Sequence, residues 1–170
     1  MLRKGLNGAY RQLRELLTTF RLRINPEGLS AALEDTVNEY RERSKIEIVL
    51  NNRIANCQFN PNAEIHVIQI VREALSNVLR HANATRASVD VECKSGGIVN
   101  VLIDDDGIGF GEESEMLRHY GLPIMQERAE WLGGKLRISE SPSGGTRVTL
   151  TFSVTGADGS PSHNHLIEGM

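Results

Sequence analysis

The stretch IVNVLIDDDGIGF, residues 98–110, constrains this 170-residue chain more than any other. Val99, Val101 and Ile103 alternate with other residues, the period of a strand with one buried face. Asp105 continues that parity and points to the apolar side as the strand ends; Asp104 and Asp106 point away. An ionised carboxylate so placed needs hydrogen-bond donors, or it gives up its charge. A ligand amino group reaching in from a pocket would serve. Gly107 and Gly109 follow at once and leave room for a flat ring. Alone, the stretch fits equally well a sharp acidic turn that binds nothing.

The helix ahead of it adds a polar face. Residues 62–82, NAEIHVIQIVREALSNVLRHA, carry Ile68, Val71, Leu75 and Val78 at inward helical spacing. Glu73, Asn77, Arg80 and His81 fall at i, i+4, i+7 and i+8 on another face. A carboxylate, an amide oxygen and a cation together suit a magnesium–phosphate group. A solvated polar face is the plain alternative. Two glycine elements follow. Gly121 and Leu122, in HYGLPIM, open a helix whose free N–H groups could meet an anion. Gly144, Gly145 and Thr146, in SGGTRVT, sit at a tight turn.

The remaining segments supply the frame. Leu6, Ala9, Leu13, Leu16 and Phe20, with Leu2 and Leu17 beside them, make an apolar helical seam that INPEG ends. Such a seam needs a partner helix. A second helix carries Leu29, Leu33, Val37 and Tyr40 on one face. KIEIVL, residues 45–50, alternates like a strand; NNRIAN is a loop and CQF a possible short strand. RASVDVEC and IVNVLIDD pair across a KSGG turn. Residues 107–120 form an acidic, glycine-bearing loop. LPIMQERAEWLGG is a helix with Leu122, Met125, Ala129 and Leu132 inward, and KLRISES with TRVTLTFSV makes a last hairpin. The expected fold class is therefore α+β: a two-layer α/β sandwich, one mixed sheet with helices on one face.

These pieces together resemble the ATP-binding fold shared by histidine kinases, gyrase, the Hsp90 chaperones and MutL. REALSNVLRHANAT resembles the family's asparagine box, DDDGIGF its first glycine box, and YGLPIM and GGT its later boxes. HANA, the short lid and HYGLPIMQERAEWLGG resemble the bacterial sensor kinases of the nitrate/nitrite (NarX/NarQ) type, and YRQLRELLTTFRL resembles the end of the second helix of their dimerisation hairpin. The similarity covers nearly all of residues 6–154.

The resemblance implies ATP and Mg as cofactors. It implies that Asp105 accepts from the adenine amino group, that Gly107 and Gly109 shape the adenine pocket, that Thr146 reaches the base through water, and that Gly145 is among the ATP-binding residues. Asn77 would coordinate magnesium and Glu73 orient the metal or its water. Arg80 and His81 would lie near the phosphates, with Gly121 and Leu122 at the lid's end. Asp106 stands where the family often has asparagine, and its outward parity suggests little consequence. The implied organisation is the end of a dimerisation hairpin at 1–25, an ATP-binding domain at 26–154 and a disordered tail at 155–170.

The implied activity is that of a protein-histidine kinase whose phosphoryl group passes to the receiver domain of a response regulator. The implied setting is the cytoplasmic portion of a bacterial inner-membrane protein that forms a homodimer through the hairpin. The alternatives within the fold are an ATP-driven clamp and a non-catalytic nucleotide-binding dimerisation module.

None of the five histidines precedes Asp or Glu, as the family's phosphoacceptor does, so the chain is expected to be a fragment without autophosphorylation. Composition narrows the rest. No apolar run approaches the roughly 18 residues of a membrane helix. Six Lys/Arg against Glu15 give residues 1–24 a charge of +5 within a net −3, but no basic patch with interleaved aromatics follows, which argues against nucleic acid. Cys57 and Cys93 are far apart in sequence and read as reduced core thiols.

Overall fold

The computed structural model describes residues 28–109 and 121–154, together with Gly8, Ala9, Gln12, Leu13, Leu16, Leu17 and Phe20. The lid beyond Gly109, the tail from residue 155 and the His81 side chain lie outside the described residues.

Among the described residues from Gly28 on, the elements follow in the order α1 (Gly28–Arg43), β1 (Glu47–Arg53), α2 (Pro61–Asn77), β2 (Arg86–Cys93), β3 (Ile98–Asp105), α3 (Leu122–Trp131), β4 (Lys135–Glu140) and β5 (Thr146–Ser153). The sheet order is β1-β2-β3-β5-β4. β1 and β2 are parallel, with α2 as their crossover; the other neighbours are antiparallel. This is the mixed sheet of the expected α+β sandwich.

Period-two patterning puts Val89, Val91, Val99, Val101, Ile103, Val148, Leu150 and Phe152 on the buried face. They form one core with Leu29, Leu33, Val37 and Tyr40 of α1, Ile68, Val71 and Leu75 of α2, and Met125 and Ala129 of α3. The opposite face is polar and internally paired. Arg147 donates from Nε and an Nη to the two Asp104 oxygens, both at 2.7 Å. Asn51 donates to Asp90 at 2.7 Å, and Thr151 to Asn100 at 2.9 Å.

Local chemistry sets the helix ends. Asn60 Oδ1 accepts from Ala63 N at 2.7 Å and Pro61 occupies the first turn, so α2 starts there. At its other end α2 widens into one π-type turn, Val78–Ala82, and Asn83 closes it in the left-handed region at φ 48°. Tyr40 Oη donates to the Arg72 carbonyl at 3.0 Å, and Arg72 pairs with Glu39, which fastens α1 to α2. Arg41 Nε donates to the Ile48 carbonyl at 2.8 Å, covering part of the β1 edge.

Three expectations change. β1 runs on through Asn51, Asn52 and Arg53, expected as loop, because their backbones pair with Asp90, Val91 and Glu92 on an edge that tolerates polar side chains. The stretch from Cys57 to Phe59 forms no strand. Cys57 and Cys93 are joined as a disulfide with Cα atoms 6.2 Å apart, where separate reduced thiols were expected. Parallel pairing brings them together: Arg53 is in register with Glu92, Cys93 is the next residue and ends β2, and the chain turns from Ile54 to Cys57 just beyond β1.

In the first segment, Leu13, Leu16, Leu17 and Phe20 are helical and exposed, at 55–67 % of full accessibility. Among the described residues no helix is long and apolar enough to cross a membrane.

Leu33 is fully buried where α1 meets the core. Leu33→Ala is expected to destabilise the domain by about 2–5 kcal/mol. The measurement is the midpoint of urea unfolding, with an unchanged slope.

Candidate functional site

The site is built where β3 ends. Asp105 is 5 % exposed, and its carboxylate sits on the buried side, as strand parity required. Its Oδ1 accepts from Gly107 N at 2.8 Å and from Thr146 N at 3.2 Å. Both hydrogen bonds fall on the same oxygen, so among the described residues Oδ2 remains available to a donor from outside. Burial raises the Asp105 pKa, the Gly107 and Thr146 amides oppose that, and the charges of Asp106 and Asp104 add to the rise.

Two glycines make this arrangement possible by close approach. A Cβ on Gly145 would overlap the Asp105 carboxylate, and one on Gly107 would overlap the Ala82 carbonyl. Gly109 lies on the other side of the loop, near the Gly144 and Gly145 carbonyls. Asp105, Gly107, Gly109, Gly145 and Thr146 are thus brought together.

α2 reaches the same place from the other side. Ile108 N donates to the Ala82 carbonyl at 2.8 Å, so the glycine loop rests on the π-type turn that follows Asn77. Asn77 Nδ2 is buried and finds no hydrogen-bond partner. A half-turn of the amide would present oxygen there instead, so Asn77 carries an unsatisfied group of either polarity. Glu73 lies one α-helical turn earlier and is half-buried.

The shared-face argument ends at Asn77, because the wider turn breaks the 3.6-residue spacing that linked Arg80 and His81 to Glu73. Arg80 is exposed. Gly121 is buried at the start of α3, with Leu122 half-buried beside it.

Sequence reasoning passed over Asp106. Its Oδ1 accepts from Thr85 N at 2.8 Å and Arg86 N at 2.9 Å, and its Oδ2 from the Thr85 hydroxyl at 2.7 Å. Those donors, the Thr85 hydroxyl foremost, lower its pKa to about 2. Parity had correctly turned the side chain outward, but nothing in the sequence pairs it with residues twenty positions earlier.

The family of histidine kinase-, DNA gyrase B- and HSP90-like ATPases matches residues 62–156. The nitrate/nitrite sensor protein NarQ of Escherichia coli is 42 % identical over 149 residues, which are 88 % of this chain and 26 % of NarQ. NarX of the same organism is 39 % identical over 151 residues, 89 % of this chain and 25 % of NarX. The chain therefore spans about a quarter of the length of these relatives. Among solved structures, the blue-light activated histidine kinase EL346 of Erythrobacter litoralis superposes with a TM-score of 0.72 at 19 % identity, over 89 % of this chain and 55 % of that one.

Buried charge at Asp105 has a pH signature. Its folded pKa lies above the ordinary 3.8, so its contribution to stability is complete below that value and is lost as pH rises through the folded pKa. Without ligand, Asp105→Asn is therefore expected to be at least as stable as the parent near neutrality, with an advantage that shrinks on acidification. Thermal unfolding across a pH series checks this; a variant advantage that grows toward acid would contradict it. With its glycine boxes closed around a buried aspartate and its asparagine helix leading into them, the chain belongs to the histidine kinase-, DNA gyrase B- and HSP90-like ATPase family.

Proposed function

We propose that this chain is the ATP-binding kinase domain of a nitrate/nitrite-type sensor histidine kinase. In this reading it presents Mg-ATP to a histidine elsewhere in the intact protein, from which the phosphoryl group passes to a response-regulator aspartate. The observation that carries the reading is the buried Asp105 carboxylate, with both its hydrogen bonds on Oδ1. Its other oxygen is suited to the adenine amino group, and Gly107 and Gly109 leave the ring its space. Thr146 stands beside that carboxylate and would reach the base.

Asn77 supports the phosphate end, because its buried amide lacks a partner until a ligand supplies one. Among the described residues no group of three His, Cys, Asp or Glu could hold a metal on its own. Magnesium takes few protein oxygens and completes its shell with water and substrate phosphates. Asn77 would hold the ion, with Glu73 orienting it or its water; when bound, the ion offsets phosphate charge. Arg80, His81, Gly121 and Leu122 are assigned to the phosphates and the lid's end.

Phosphoryl transfer asks mainly for positioning and charge neutralisation, so the task of these residues is to bind, orient and exclude water. The exposed Leu13, Leu16, Leu17 and Phe20 fit a dimerisation hairpin whose partner helix covers them. In this reading the parent protein lies in the bacterial inner membrane, with this domain on its cytoplasmic side. Residues 1–25, 26–154 and 155–170 are read as hairpin end, ATP-binding domain and tail.

Asp105→Asn keeps an oxygen for Gly107 and Thr146 but turns an N–H donor toward the adenine amino group. ATP affinity is expected to fall by about tenfold to a hundredfold, the scale of a charge-assisted hydrogen bond. Calorimetry measures it, and unchanged affinity would end the adenine assignment. Asn77→Ala should remove chiefly the magnesium-dependent part of the affinity; equal losses with and without the metal would contradict its role. Incubation of the chain with γ-labelled ATP should leave no acid-labile phosphohistidine, since none of its histidines is followed by an acid.

A further inference from the structure

Three adjacent aspartates have three separate attachments. Asp104 is forked by Arg147 on the open sheet face. Asp105 is held by the Gly107 and Thr146 amides. Asp106 reaches in the remaining direction, to the segment that leaves α2. Its carboxylate takes three hydrogen bonds from Thr85 and Arg86, and its own N–H donates to the Arg86 carbonyl at 3.2 Å. Two residues on, Ile108 N donates to Ala82. The chain between Asn77 and Thr85 is thus pinned to the glycine loop at both Ala82 and Thr85.

We propose that Asp106 is a positioning residue that fixes the distance between the adenine grip at Asp105 and the metal–phosphate end at Asn77. The proposal rests on the nucleotide reading above and deepens it. Asp105 and Asn77 lie on separate elements, a strand and a helix. A ligand that spans both gains from both only if their spacing is set before it arrives. The grip on Asp105 comes from the Gly107 and Thr146 amides, neither of which bonds the Asp106 carboxylate. Loss of the Asp106 carboxylate therefore loosens the α2 side, leaving it the backbone bonds of Asp106 and Ile108, and keeps the adenine grip in place. The carboxylate stays ionised down to about pH 2, so the clamp is present throughout the physiological range.

This predicts a split between two ligands. Adenosine uses only the Asp105 end, whereas Mg-ADP uses both. Asp106→Ala should weaken Mg-ADP about tenfold, the scale of coupling within one hydrogen-bonded network, and leave adenosine affinity within about twofold. Asp106→Asn should restore Mg-ADP binding, because its amide oxygen accepts from both backbone amides and its NH₂ can donate to the Thr85 hydroxyl. Thr85→Val removes only the hydroxyl bond, conserves side-chain shape and should give a smaller loss with the same split; it carries the test if the alanine variant does not fold.

Calorimetry of the full chain with adenosine and with Mg-ADP reads all of these. Equal losses for the two ligands, unchanged Mg-ADP affinity in the alanine and valine variants, or failure of asparagine to rescue would overturn the proposal. If the parent chain bound neither ligand, the nucleotide reading itself would fall, an outcome distinct from normal parent binding with indifferent variants.

Discussion

The architecture around this site depends on one buried carboxylate being tolerated at the end of a core strand. Asp105 stands in line with Val99, Val101 and Ile103, where strand geometry would otherwise place another apolar side chain. Two backbone amides hold one of its oxygens. Those amides can approach because Gly107 and Gly145 have no side chains to intervene. The aspartate thus dictates the glycines, and the glycines dictate a loop and a hairpin turn that close on each other. Charge left facing inward is a standing cost to the empty domain, and a ligand donor offsets it.

The second half of the site is organised by a change of helix pitch. α2 is regular through Asn77 and then widens for one turn. Wider turns leave backbone groups out of the ordinary ladder, and the Ala82 carbonyl is used by Ile108 of the glycine loop. The same turn leads to Asn83 in the left-handed region, which redirects the chain into β2. One local irregularity therefore both ends the helix and joins it to the loop that follows β3.

Much of this was legible in the sequence because it follows from short-range periodicity. The parity of Val99, Val101, Ile103 and Asp105 gave the buried carboxylate, and the three- and four-residue spacing of Ile68, Val71 and Leu75 gave the inward face of α2. What escaped was set by pairing across the chain. Asn51 to Arg53 look like a loop until β2 lies beside them, and Cys57 meets Cys93 only because β1 and β2 run parallel. Asp106 looked idle because its partners, Thr85 and Arg86, are brought near by the antiparallel register of β2 with β3. Arg80 and His81 were assigned to a face by a periodicity that stops at Asn77.

The parallel pairing of β1 with β2 also bears on when the site comes into being. α2 lies inside the crossover between these strands, so its asparagine reaches its place only once two segments more than thirty residues apart have joined. Thr146 closes on Asp105 across a further 41 residues. Closing such loops costs chain entropy before their contacts form, so non-local pairing of this kind slows folding. The cleft therefore belongs to the assembled domain and to no single segment, and a ligand that binds it draws the equilibrium toward the finished fold.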